Sequence, residues 1–193
     1  MSLFDAITQW DVSVLWAVQY IKCAFLDTLM AVLSYMGEKG AVWVILGLGL
    51  LIPKKTRPTG AMVLCAMLMG LLLGEIGLKN IVCRPRPFVT FPELPMNIPA
   101  PSGFSFPSGH TSSSFAAASV IAIRHKKFAI PALLLAALIA FSRLYNCVHY
   151  PTDVICGALF GLALAAVTCA VFKRLGWDEV LSKGTIRKKG EIK

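Results

Sequence analysis

Apolar residues run almost unbroken over positions 40–52, 60–78, 111–123, 128–142 and 154–172, with polar or basic residues between the runs. A hydrocarbon core of about 30 Å takes roughly 20 helical residues to cross, so several runs must extend into their polar flanks. None alternates with the period of two that a barrel strand needs, and lipid offers an open backbone no hydrogen-bonding partner. The pattern therefore predicts an all-α fold, a polytopic transmembrane bundle of about six helices with five or six full spans. Gly47, Gly49, Gly70, Gly74, Gly77, Gly157 and Gly161 fall inside the runs, where small residues let helices approach closely. Residues 1–37 read differently, because Asp5, Gln9, Asp11, Gln19, Lys22 and Asp27 interrupt them. Residues 4–22, carrying Phe4, Ile7, Trp10, Val14 and Tyr20, are expected to form an interfacial amphipathic helix with aromatic anchors. Residues 24–36 would follow as a short or tilted span, and no secretory signal peptide is expected. The expected organisation is an N-terminal helix and first span over 1–37, a transmembrane core over 38–173, and a basic cytoplasmic tail over 174–193.

Composition supports a membrane protein: 56% of the 193 residues are hydrophobic and 15% charged, and the mean hydropathy is +0.70. A water-soluble domain carries about 25% charged residues. The net charge of +9 raises the question of nucleic acid, which its distribution answers. Lys54, Lys55 and Arg57 lie in one short loop, Arg124, Lys126 and Lys127 in another, and seven further cations between Lys173 and Lys193. Basic loops and a basic tail separated by apolar segments follow the positive-inside rule. No nucleic-acid partner is expected. With both loops inside, 84–108 and 143–153 fall outside, so the expected location is a cell membrane with the C-terminus cytoplasmic. The six cysteines have no zinc-type spacing and are read as buried free thiols.

Three polar clusters lie at the outer ends of the helices: Lys79 with Arg86-Pro87, then Pro107-Ser108-Gly109-His110, then Ser142-Arg143 with His149 and Asp153. As patterns they are K-x6-R-P, P-S-G-H and S-R-x5-H-x3-D. Here the sequence resembles the type-2 phosphatidic acid phosphatase family, whose tripartite signature is shared with vanadium haloperoxidases. The resemblance covers roughly residues 60–173, with all three patterns in the right order. Arg84-Pro85 also resembles the R-P element, but it lies too close to Lys79, so Arg84 is read as an arginine reaching for lipid headgroups. Glu75, one turn before Lys79, is read as its i,i+4 partner.

The chemistry is coherent in its own right. Lys79, Arg86 and Arg143 would converge on one outer site, where a phosphate group is the fitting anion: arginine supplies paired donors and lysine a compact charge. Ser108 and Gly109 stand at a helix start, where free N–H groups and the positive dipole end cradle an anion. Of two histidines, one can attack phosphorus while the other protonates the leaving oxygen. Asp153, four residues after His149, can reach back to its imidazole and fix the tautomer. The resemblance implies the roles: His149 as nucleophile forming a phosphohistidine, Asp153 as its orienter, and His110 as general acid and then as base for water. Lys79, Arg86, Ser108, Gly109 and Arg143 would bind phosphate. No cofactor is expected, and the chain supplies no plausible metal-binding set. The resemblance implies an integral membrane lipid phosphatase acting at the outer face on undecaprenyl pyrophosphate, phosphatidylglycerol phosphate or phosphatidate. A lipid phosphotransferase using the same phosphohistidine is the alternative. Gly109 stands where many undecaprenyl pyrophosphate enzymes of the family carry Asp, which tilts the reading away from that substrate. The proline-rich loop from Phe88 to Phe106 is expected to cover the site.

Overall fold

The computed structural model of the protein describes residues 3–183. All regular elements among them are helical. α1 (Leu3–Gln19) is followed by α2 (Ala24–Met36), a 3-10 turn (Glu38–Gly40) and α3 (Ala41–Leu51). Next come α4 (Arg57–Gly70), a π-helical segment (Leu71–Leu78), and the one-turn helices α5 (Lys79–Val82) and α6 (Pro87–Thr90). α7 (Gly109–Arg124), α8 (Ala129–Tyr145), α9 (Pro151–Leu175) and α10 (Trp177–Lys183) complete the bundle.

Long and apolar enough to cross a membrane are three helices, Arg57–Thr90, Lys126–Tyr145 and Pro151–Leu175. A fourth crossing arises if α2 and the helix from Glu38 to Leu51, bent by 49° at their junction, count as one broken span. The structure thus has three such spans, or up to four, where hydropathy predicted five or six. The bend accounts for part of the difference, because two apolar runs share one broken helix pair. α7 accounts for another part. It has 16 residues and places Ser112, Ser113, Ser114 and Ser119 in its length, at about 1.5 Å per residue too short for the full core. It can be this polar because it is the central helix, packed on α9, α8 and α4, with Trp43 Nε1 donating to Ser114 Oγ at 2.8 Å from α3. The outward faces carry the apolar surface instead, as at Ile45, Ile130 and Leu159.

α7 and α9 meet at glycine. A Cβ on Gly161 would lie 2.5 Å from the Ser112 carbonyl oxygen and 2.8 Å from the Ala116 nitrogen, and one on Gly157 would lie 2.9 Å from the Ser108 carbonyl. These contacts are to backbone, which cannot rotate away. The main core of Trp43, Met62, Val63, Ala117, Val120, Ile139 and Leu164 packs around this crossing.

α1 leaves Phe4, Ile7 and Trp10 exposed, as is Tyr20 just beyond it, while Leu15 packs on Leu94, Cys147 and Tyr150. Its Asp11 is fully buried. Asp11 accepts from the Thr152 backbone N–H at 2.9 Å, the Thr152 hydroxyl at 2.7 Å and Arg84 at 2.6 Å, so α1 is clamped to the start of α9. The loop after α6 is pinned by Lys22, which donates to Asn97 at 2.9 Å, and by Asn97, which donates to Asp27 at 3.0 Å. The start of the expected basic tail is helix α10, with Trp177 edge-on to Phe172 and Asp178 paired with Arg124 at 3.0 Å. Residues 184–193 of that tail lie outside the described residues. All six cysteines are free, but Cys147 alone is buried and Cys23 and Cys83 are exposed, which corrects the reading of buried thiols: both exposed thiols stand at helix ends, Cys23 before α2 and Cys83 after α5.

Gly161→Val should drive α7 from α9 and destabilise the fold by about 1–3 kcal/mol. Gly49→Ala, where an added Cβ meets nothing within 4 Å, should be neutral; thermal unfolding in detergent compares the two. Asp11→Ala removes one partner of a buried ion pair and should cost about 3 kcal/mol, read by the same unfolding and by faster proteolysis within α1.

Candidate active site

Lys79, Arg86, Gly109, His110, Arg143 and His149 all line one cavity of about 720 Å³. The apolar side chains of Val44, Leu64, Met67, Leu68 and Leu71 line the same cavity. A smaller cavity of about 200 Å³ adjoins it at His110 and Arg143, under Ile98–Pro101. Pro101 and Ser102 of the proline-rich loop reach the main cavity, so the loop does border the site.

The cations are held in different ways. Arg86, nearly buried, donates to the backbone carbonyls of Ser102 and Val148, each at 3.0 Å, and of Gly103 at 2.9 Å; its Nη1 also stands 3.3 Å from His149 Nε2. Neutral carbonyls fix the guanidinium while leaving its charge uncancelled. Arg143, at the end of α8, donates to the Ser34 hydroxyl on α2, and its Nε has no partner. Lys79 donates to both Glu75 oxygens at 2.8 Å, as the i,i+4 reading expected.

Arg84 departs from expectation. Its side chain is 10% exposed and bridges Asp11 at 2.6 Å and Asp153 at 2.7 Å, and its guanidinium stacks 3.9 Å over the Tyr150 ring. It does not reach for headgroups, because two buried carboxylates offer it more than the interface does. Of the two arginines in R-P-R-P, Arg86 faces the cavity and Arg84 lies behind Asp153.

His149 sits in the tight turn between α8 and α9. Asp153 lies in the first turn of α9, where its Oδ2 accepts the Tyr150 backbone N–H at 2.9 Å and its charge suits the helix dipole. His149 Nδ1 is 3.7 Å from that same Oδ2. The Ser105 hydroxyl stands between them, donating to Asp153 at 2.5 Å and lying 3.4 Å from His149 Nδ1. An Nδ1–H tautomer satisfies this side and leaves the Nε2 lone pair toward Arg86 and the cavity. Burial, with Arg86 and Arg143 adding to it against the pull of Asp153, pushes His149 down to about 3, so the ring is neutral near pH 7. Across the cavity His110 stands in the first turn of α7, its buried Nε2 without a partner.

Ser108 lies beneath the cavity rather than on its wall. Its hydroxyl caps α7, accepting from the Thr111 N–H at 3.4 Å and the Thr111 hydroxyl at 2.9 Å, and its N–H donates to the Asp153 carbonyl at 3.1 Å. Sequence reasoning missed Ser105, Asp11 and Thr152, which carry no motif spacing, and the Gly37–Gly40 bend, which lines the cavity. A Cβ on Gly37 would meet the His110 ring at 2.9 Å. The paired glycines were the available signal for that bend. Among the described residues, no group of three or more His, Cys, Asp or Glu side chains could hold a metal ion.

The model of the PAP2 superfamily matches residues 59–177. An undecaprenyl-diphosphatase of Sulfolobus acidocaldarius is 34% identical over 145 residues, 75% of this chain and 69% of that protein. A decaprenylphosphoryl-5-phosphoribose phosphatase of Mycolicibacterium smegmatis is 39% identical over 127 residues, 65% of this chain and 67% of its own. The crystal structure of a transmembrane PAP2-type phosphatidylglycerolphosphate phosphatase from Bacillus subtilis superposes with a TM-score of 0.72 at 26% identity, covering 88% of each chain. A shared domain match, two curated relatives and a common fold all converge on one assignment: the chain belongs to the PAP2, or type-2 phosphatidic acid phosphatase, superfamily and is related to its membrane lipid phosphatases.

Proposed function

We propose that the protein is an integral membrane phosphatase that hydrolyses a lipid phosphomonoester or pyrophosphate through a phosphohistidine, without a metal ion. The observation that carries this reading is the composition of the main cavity: the three motif cations and two histidines line it together with an apolar set from Val44 to Leu71. A lipid places its phosphate at the first and its chain along the second. His149 Nε2 attacks phosphorus as the bond from phosphorus to the lipid oxygen breaks; that oxygen leaves with a proton from His110 in its imidazolium form, which the bound phosphate dianion stabilises; the phosphoryl group stays on His149. Water, deprotonated by His110, then attacks phosphorus, and the P–N bond breaks to release inorganic phosphate and neutral His149. The Ser105 and Asp153 oxygens face the Nδ1–H, which stays on the ring, and steady the imidazole as positive charge develops. Arg86, Arg143 and Lys79 stabilise the charge on the three equatorial oxygens. Phosphatidylglycerol phosphate, phosphatidate and undecaprenyl pyrophosphate all present the needed group.

The basic loops lie together at the far end of the bundle, since Thr59 and His125 are 3.0 Å apart and Arg124 pairs with α10. By the positive-inside rule that end is cytoplasmic and the cavity opens outside. In this topology α7 leads back from the cavity end to the basic-loop end, packed among α4, α8 and α9.

Phosphate release from these lipids in detergent, with EDTA present, tests the reading: wild type should release it and His149→Ala should lose all turnover. Unchanged turnover in His149→Ala would sink the covalent mechanism, and a phosphorylated second lipid without free phosphate would mark a transferase. A neutral His149 needs no proton removed before attack, so between about pH 7 and pH 5 kcat/KM should fall no further than the substrate phosphate's own titration requires. A loss centred near the ordinary imidazole value, beyond that titration, would contradict it.

A further inference from the structure

Glu75 is a carboxylate inside a cavity built to hold an anion. It lines the same cavity as Lys79, Arg86, Arg143 and both histidines. Lys79 holds both its oxygens, and Oε1 is pressed against the first residue of α7: a Cβ on Gly109 would lie 2.1 Å from it. The side chain is 36% exposed, so it faces the open space and is not sealed in the core.

Its place along the helix is informative. Leu64, Leu68 and Leu71 of the cavity wall, then Glu75, then Lys79 follow one another along one face. Successive positions rise about 5–6 Å per turn. Glu75 is thus one turn beyond the apolar wall and one turn before the lysine of the phosphate end. In a bound lipid, that level holds whatever links the reacting phosphoryl group to the chain. For a phosphomonoester this is an uncharged ester oxygen and the first carbons or glycerol of the lipid. For a diphosphate it is a second phosphoryl group.

Charge counting separates the two. Among the lining side chains Lys79, Arg86 and Arg143 stand with Glu75, a surplus of two positive charges, which the further pair Lys39 and Glu38 leaves unchanged. A phosphomonoester dianion carries about −2 near pH 7 and balances that surplus. A lipid diphosphate exceeds it and would set its inner phosphoryl group against a carboxylate, a repulsion strengthened where water is scarce.

We propose that Glu75 is a specificity-determining residue that makes the site select a lipid phosphomonoester over a lipid diphosphate. The inference rests on the phosphatase reading above and narrows its substrate class. The experiment compares kcat/KM for one prenyl chain carrying either a monophosphate or a diphosphate, in wild type, Glu75→Gln and Glu75→Asp. Wild type should favour the monophosphate. Glu75→Gln keeps an acceptor for Lys79 but removes the charge, and should shift the ratio about ten-fold toward the diphosphate, the order expected of one unit charge a few Å away. Glu75→Asp keeps the charge and should hold the wild-type ratio even if both rates fall. A wild type that favours the diphosphate, an unchanged ratio in Glu75→Gln, or an equal shift in both variants overturns the proposal while leaving the phosphatase reading intact. Hydrolysis of neither lipid by wild type overturns the phosphatase reading, and this inference with it.

Discussion

The close approach of α7 to α9 is the constraint on which the rest of the site depends. Gly157 and Gly161 let the α9 backbone lie against the α7 backbone without intervening side chains. The Ser108 N–H then reaches the Asp153 carbonyl, tying together the first turns of two helices that are adjacent in space and 45 residues apart in sequence. This single junction brings the P-S-G-H segment and the H-x3-D segment to one end of the bundle. It also aligns two helix N-termini at that end, so their dipoles reinforce the positive potential that Arg86, Arg143 and Lys79 supply.

Around the junction the protein buries several charges, and its two buried carboxylates are stabilised by pairing. Desolvating a carboxylate or a guanidinium costs several kcal/mol unless partners replace the lost water. Asp153 meets this condition with Arg84, Ser105 and the Tyr150 N–H; Asp11 meets it with Arg84 and Thr152. Arg84 is therefore the member common to both carboxylates, and α1, which lies outside the matched superfamily segment of 59–177, is part of the same polar network. Helix α1 thus supplies one carboxylate of a buried ion cluster.

The contrast between these features shows what a sequence can carry. Helical character, the membrane setting and the three motif segments were legible, because they depend on local composition and on spacing within one element. The Glu75–Lys79 pair was legible for the same reason: four residues on a helix fix a distance. Arg84 was misread because its partners lie 73 and 69 residues away, and nothing local distinguishes an arginine that finds a buried carboxylate from one that finds a headgroup. The spans were overcounted because hydropathy measures each segment alone. It cannot see that α7, rich in serine, is shielded from lipid by α4, α8 and α9, or that the Gly37–Gly40 turn joins two apolar runs into one bent pair. Ser105 had no signal at all, since a lone serine in a loop acquires meaning only from the His149 and Asp153 side chains beside it.

The two arginines of R-P-R-P show how one short segment can hold opposite electrostatic states. Arg84 faces two carboxylates and its charge is cancelled. Arg86, two residues on, is fixed with comparable rigidity by carbonyls of Ser102, Gly103 and Val148, which orient it without neutralising it. Rigid attachment and uncompensated charge are both needed to bind an anion tightly and to stabilise charge that grows during a reaction, because a flexible cation would lose entropy on binding and a paired one would have nothing left to offer. The alternation of Arg and Pro separates the two guanidiniums, one toward the cavity and one behind Asp153, so the same four residues anchor the acid that steadies His149 and present the cation that faces it.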